Sequence, residues 1–171
     1  AGLGFATAMV KVAAEEASVP VALHLDHGAS FEQNVICLRA GFTSLMFDGS
    51  KLPYEENVRI TSKIVEMASV VGIPVEAELG KVLQSRDNVS EEDVRKAMTD
   101  PDEAAEFVAR TGISSLAVAI GSVHAMQSAE AELDIERLKA IRAKVNIPLV
   151  LHGSSGVKES SEAEAIQYGI C

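Results

Sequence analysis

Three of the chain's four histidines stand where an apolar run ends. His27 follows Asp26 at the close of VPVALHLDH, His124 follows SSLAVAI in GSVH, and His152 ends IPLVLH. Two further apolar runs carry acids: TSLMFD ends in Asp48, and IPVEAEL holds Glu76 and Glu78. Burying an unpaired carboxylate or imidazolium is costly, so these groups need a ligand or a partner. Neutral imidazoles suit zinc, and a catalytic zinc keeps three protein ligands and one open position. His27, His124 and His152 are therefore candidate zinc ligands. One such histidine alone reads as a hydrogen-bonded rim residue; three together read as a metal site. Asp26 is placed for general acid/base work beside a metal-bound substrate, or to orient a histidine. Asp48 and Glu78 orient ligands, hold a second metal position, or bond a neighbouring loop. His24 lies three residues before His27, so on a strand the two face opposite ways, and His24 reads as structural. HGSSG (152–156) presents backbone N–H groups of Gly153, Ser154 and Ser155 that suit a phosphate.

The elements that must position these residues follow from hydrophobic pattern. Strands are expected at 19–26, 43–48, 73–79, 114–120 and 147–152, rich in Val, Ile, Leu and Ala with little alternation, as for parallel strands covered on both faces. Helices are expected at 3–17, 31–40 (Ser30 as N-cap, Gly41 as stop), 54–71, 102–111, 134–144 and about 159–168. The polar segment 81–100 reads as a long loop with one helical turn around 91–97. Strand–helix alternation implies an α/β fold, either an open doubly wound sheet or a (β/α)8 barrel. A helix at the start and a nascent strand at YGIC read as cuts through a repeating pattern, which favours part of a barrel. No linker or low-complexity tract divides the chain, so 1–171 is expected to be one domain.

The formal net charge of −10 argues against nucleic acid or an anionic membrane as partner. No apolar run reaches the roughly 18 residues of a membrane helix, and the first residues do not read as a signal peptide. Two cysteines make no disulfide framework. Cys37 falls in a helical pattern and reads as core; a reducing, cytoplasmic compartment is expected.

With these residues in hand, the chain resembles the zinc-dependent class II ketose-bisphosphate aldolases, which include the fructose- and tagatose-bisphosphate aldolases. VPVALHLDHG, FDGSKLPYEENV, VEAELG, the TDP before a helix, FVARTGISSLAVAIGSVH and IPLVLHGSSG carry the likeness, in the family's order. It implies a (β/α)8 TIM barrel, here without its first two strands and its last. It implies zinc on His27, His124 and His152, Asp26 as acid/base, and acidic positions near alternative metal placements at Asp48 and Glu78. Gly153, Ser154 and Ser155 match the loop that contacts dihydroxyacetone phosphate. The implied reaction is reversible aldol cleavage of fructose 1,6-bisphosphate to dihydroxyacetone phosphate and glyceraldehyde 3-phosphate. A monovalent cation is a further candidate cofactor, the partner is a small phosphorylated sugar, and a homo-oligomer (dimer or tetramer) is expected. Two departures stand out. Ala125 replaces the glycine that follows the second zinc histidine, close to substrate. LQSRD (83–87) replaces Gly-Gly-x-Glu-Asp, with Arg86 where the acid would be. These keep open an aldolase for tagatose bisphosphate or a keto-deoxy-gluconate phosphate. Outside the family, a barrel metallohydrolase and a non-catalytic fragment with open strand edges are the rival readings.

Overall fold

A computed structural model describes residues 2–85, 90–125 and 130–171. Its strands are β1 (Leu45–Phe47), β2 (Val75–Leu79), β3 (Leu83–Gln84), β4 (Ser115–Val118), β5 (Val123–His124) and β6 (Leu149–Val150). Its helices are α1 (Leu3–Glu16), α2 (Phe31–Ala40), α3 (Tyr54–Ser69), α4 (Glu91–Ala97), α5 (Pro101–Thr111), α6 (Ile135–Lys144) and α7 (Glu159–Gln167). Four strands form one parallel sheet in the order β1-β2-β4-β6. That order never reverses. A doubly wound sheet reverses at its switch point, whereas a barrel wall adds each strand beside the last. Leu149 also bridges to Ile170, so pairing continues into the YGIC segment.

Local chemistry explains the elements. Ser30 accepts the Gln33 N–H at the start of α2, and Gly41 ends that helix with φ 93°. Asp100 caps α5 and Pro101 fills its first position, which moves the start one residue ahead of the expected 102. Every residue of β2 is buried, as a parallel strand covered on both faces must be. Phe107, Leu116, Leu138, Ile141 and Leu149 form one core cluster; Leu45, Phe47, Ile64 and Val75 form another with the buried Cys37.

Two expectations are corrected. The strand at 19–26 does not form; only His24 bridges, to Ser44. Hydrogen bonds from Leu25 N to Ser44 O and from Thr43 N to Leu23 O tie this segment to one neighbour. Among the described residues nothing pairs with its other side, so no ladder develops. In segment 81–100, read as a loop, Leu83–Gln84 instead form β3, paired in parallel with β5; the helical turn expected around 91–97 is α4, which carries a capping box at Ser90 and Asp93. Arg86 and Asp87 of the divergent LQSRD loop lie outside the described residues. Among the described residues no helix is long and apolar enough to cross a membrane.

Candidate functional site

The site forms at the C-terminal ends of the strands. Asp48 follows β1, Glu76 and Glu78 project from one face of β2, His124 ends β5, and His152 follows β6 by two residues. Asp26 and His27 come from the segment bridged to residue 44. Gly28 lets that segment fold in: a Cβ there would stand 2.2 Å from the Met46 carbonyl oxygen, and the Gly28 carbonyl accepts the Asp48 N–H at 2.9 Å. His27 takes φ 48°, a left-handed conformation that costs a non-glycine residue about 1–2 kcal/mol.

The three imidazoles meet. Ring centroids lie 4.5 Å apart for His27 and His152, 5.3 Å for His27 and His124, and 6.4 Å for His124 and His152. Asp26 Oδ1 lies 3.9 Å from His27 Nε2 and 3.8 Å from His152 Nδ1. Among the described residues, potential ligand atoms fall within 4.8 Å of one another in two groups: Asp26, His27 and His152, and His27, Asp48 and Glu78. His124 belongs to neither, although its ring faces both other histidines.

Carboxylates orient two of the rings. His27 Nδ1 bonds Asp48 Oδ2 at 3.0 Å, which leaves Nε2 towards Asp26. Asp48 is itself held by the Ser50 hydroxyl at 2.6 Å and the Ser50 N–H at 3.1 Å. Burial pushes the Asp48 carboxyl up, but the bonds from His27 and Ser50 outweigh it and hold the group well below the usual carboxylate range. The Asp48 hydrogen bond raises His27 despite burial. Burial lowers His152, but the hydrogen bond and charge of Glu76, together with the charge of Glu78, leave it raised, whereas burial and the neighbouring rings lower His124. Burial, reinforced by the charge of Asp48, raises Glu78. Glu78 Oε1 accepts the Val82 N–H at 3.3 Å, while its buried Oε2 has no hydrogen-bond partner among the described residues. Imidazole nitrogens, carboxylate oxygens and that orphaned oxygen fit a zinc ion.

The phosphate-loop candidates sit beside the histidines. Gly153, at φ 69°, starts a single 3-10 turn over Ser154–Gly156. A Cβ on Gly153 would approach the His124 amide nitrogen to 3.2 Å, so the turn packs directly on β5. Ser154 and Ser155 are exposed. Ala125 has φ 59°, and its carbonyl accepts the Ser85 hydroxyl at 2.7 Å. The strain at Ala125 is one that a glycine would not carry.

Sequence reasoning left several neighbours unassigned. Glu76 bonds His152 Nε2 at 2.8 Å, and His24, read as structural, comes within 3.9 Å of Glu76. Lys51 and Lys81 line a cavity of about 610 Å³ with His27, Asp48, Glu78 and His124. Neither lysine pairs with a carboxylate among the described residues. Their signal was position, since each lies just beyond a strand end.

The family described as class II fructose-bisphosphate aldolase matches residues 1–171. The chain belongs to that family. It is 49% identical over 170 residues to the fructose-bisphosphate aldolase of Geobacillus stearothermophilus, covering 97% of this chain and 58% of that one. It is 48% identical over 152 residues to the fructose-bisphosphate aldolase of a Staphylococcus epidermidis strain, covering 89% of this chain and 52% of the relative. Among solved structures, the YdjI aldolase of Escherichia coli K12 superposes with a TM-score of 0.86 at 42% identity, over 99% of this chain and 59% of that chain. The chain thus spans little more than half the length of these relatives. The fold is that of the class II aldolases, an α/β barrel type.

Proposed function

We propose that this chain carries the site of a class II aldolase, cleaving fructose 1,6-bisphosphate reversibly to dihydroxyacetone phosphate and glyceraldehyde 3-phosphate. The observation that carries the reading is the meeting of three histidines from distant segments, with ring centroids 4.5–6.4 Å apart and Asp26 beside two of them. His27, His124 and His152 would hold zinc, with Asp48 and Glu78 as alternative ligands; the orphaned Glu78 oxygen supports this. Bound zinc would polarise the substrate ketone and stabilise the negative charge that develops as the carbon–carbon bond breaks.

The chain's own residues do the rest. Asp26, with its side chain 65% exposed, can reach the substrate hydroxyl, take its proton during cleavage and return it during condensation. Asp48 fixes the His27 ring. The first amides of the turn at Ser154–Gly156, free of intraturn partners, suit the phosphate of dihydroxyacetone phosphate, and Gly153 lets that turn sit against β5. Ala125 would border the substrate. Ala125 also supports a second reading, cleavage of another phosphorylated ketose such as tagatose bisphosphate, since its methyl group occupies space a glycine leaves open.

We further propose one domain over 1–171, a cytoplasmic location, and a homo-oligomer. The functional test is cleavage of a panel of ketose phosphates before and after chelation. Zinc-restored cleavage is expected; cleavage indifferent to chelator would remove the metal mechanism.

A further inference from the structure

We infer that Glu76 is a positioning residue, which holds His152 from beneath the site and dictates which ring nitrogen is offered to the metal. The inference rests on the zinc reading above and goes beyond it to a residue outside the ligand set. Glu76 is buried, 7% exposed, in the middle of the sheet. A carboxylate there is costly unless it is bonded. Its Oε1 accepts from His152 Nε2 at 2.8 Å, across 76 residues of sequence. With Nε2–H committed to Glu76, Nδ1 becomes the lone-pair nitrogen, and Nδ1 is the atom that lies 3.8 Å from Asp26.

The other oxygen, Oε2, faces His24 Nε2 at 3.9 Å, and His24 Nδ1 bonds Ser44 Oγ at 2.8 Å. Each carboxylate oxygen therefore has an imidazole near it, and the hydrogen bond is the one to His152. Strand geometry places Glu76 two residues from Glu78 on the same face, one layer deeper than the rim. Glu78 reaches the site itself, and Glu76 reaches it only through His152. His27 is supported in the mirrored sense, with Nδ1 bonded to Asp48 and Nε2 presented.

The experiment uses the full chain without metal and then with zinc alone. Long-range 1H–15N correlation on the metal-free protein at a pH where His152 is neutral should show the Nε2–H tautomer for that ring. Competition against a chromophoric chelator then reads zinc affinity. Glu76→Ala, checked for folding by circular dichroism, should bind zinc about 10–100-fold more weakly. Glu76→Gln keeps an acceptor oxygen and should recover most of that loss and retain the tautomer. An Nδ1–H tautomer in the native chain overturns the inference without any variant. Native zinc affinity in a folded Glu76→Ala overturns the inference alone. A native chain that takes up no zinc overturns the metal reading, and the inference falls with it.

Discussion

Thr99 offers a direct measure of how the strand ends are held beneath the site. It is fully buried, and its hydroxyl joins two strands. The hydroxyl donates to the Leu79 carbonyl at 2.5 Å and accepts the Ala119 N–H at 2.8 Å. Leu79 follows Glu78 directly at the end of β2, and Ala119 follows β4. Thr99→Val keeps the shape and removes the oxygen, so one carbonyl and one N–H lose their buried partner. Each orphaned group costs about 1–3 kcal/mol, or roughly 2–6 kcal/mol together. The added methyl offsets about 1 kcal/mol, which leaves a net loss near 3 kcal/mol. That is a large part of the 5–15 kcal/mol that typically separates folded from unfolded chains. Urea unfolding should show a lower midpoint at unchanged slope, and melting should fall by about 6–12 °C at this chain length. A loss below about 1 kcal/mol would refute the reasoning, because it would mean that the strand ends do not depend on this hydroxyl.

The remaining predictions concern the site. Asp26→Asn should leave zinc content and melting temperature nearly unchanged, because the side chain is largely exposed, and should slow turnover by about 10²–10⁴-fold; undiminished turnover would remove Asp26 from the mechanism. Gly28→Ala forces a Cβ to 2.2 Å from the Met46 carbonyl, so the backbone bearing His27 must shift, at a cost of about 1–3 kcal/mol or more; thermal melts and zinc titration should both register it, and native values in both would contradict the packing. His27 and His152 are raised above the ordinary 6.5 in the folded chain, so in the metal-free protein they contribute stability below that pH that is lost as pH rises through their folded values. Zinc must displace those protons, so its affinity should run the other way and weaken as pH falls below neutrality; a zinc affinity that holds steady into acid would exclude these rings as ligands.

Much of this protein is legible in its sequence because the signals are local. Ser30 and Gly41 mark the ends of α2 through bonds within a few residues, and unbroken apolar runs mark covered parallel strands. The HLDHG, EAELG and LVLHG segments locate the histidines and acids by the same short-range logic, and their places at strand ends already point to one mouth. The run at 19–26 misleads because an apolar composition cannot say whether both sides of a strand have neighbours; among the described residues only Ser44 supplies a bridge. Nor can spacing reveal partners. His27 finds Asp48 across 21 residues and His152 finds Glu76 across 76, so which nitrogen of each ring is free is decided by strand register and side-chain packing. The unreversed strand order β1-β2-β4-β6, the union of β3 with β5, and the place of His24 beside Glu76 belong to tertiary structure for the same reason. They depend on contacts between segments that the chain's local chemistry leaves independent.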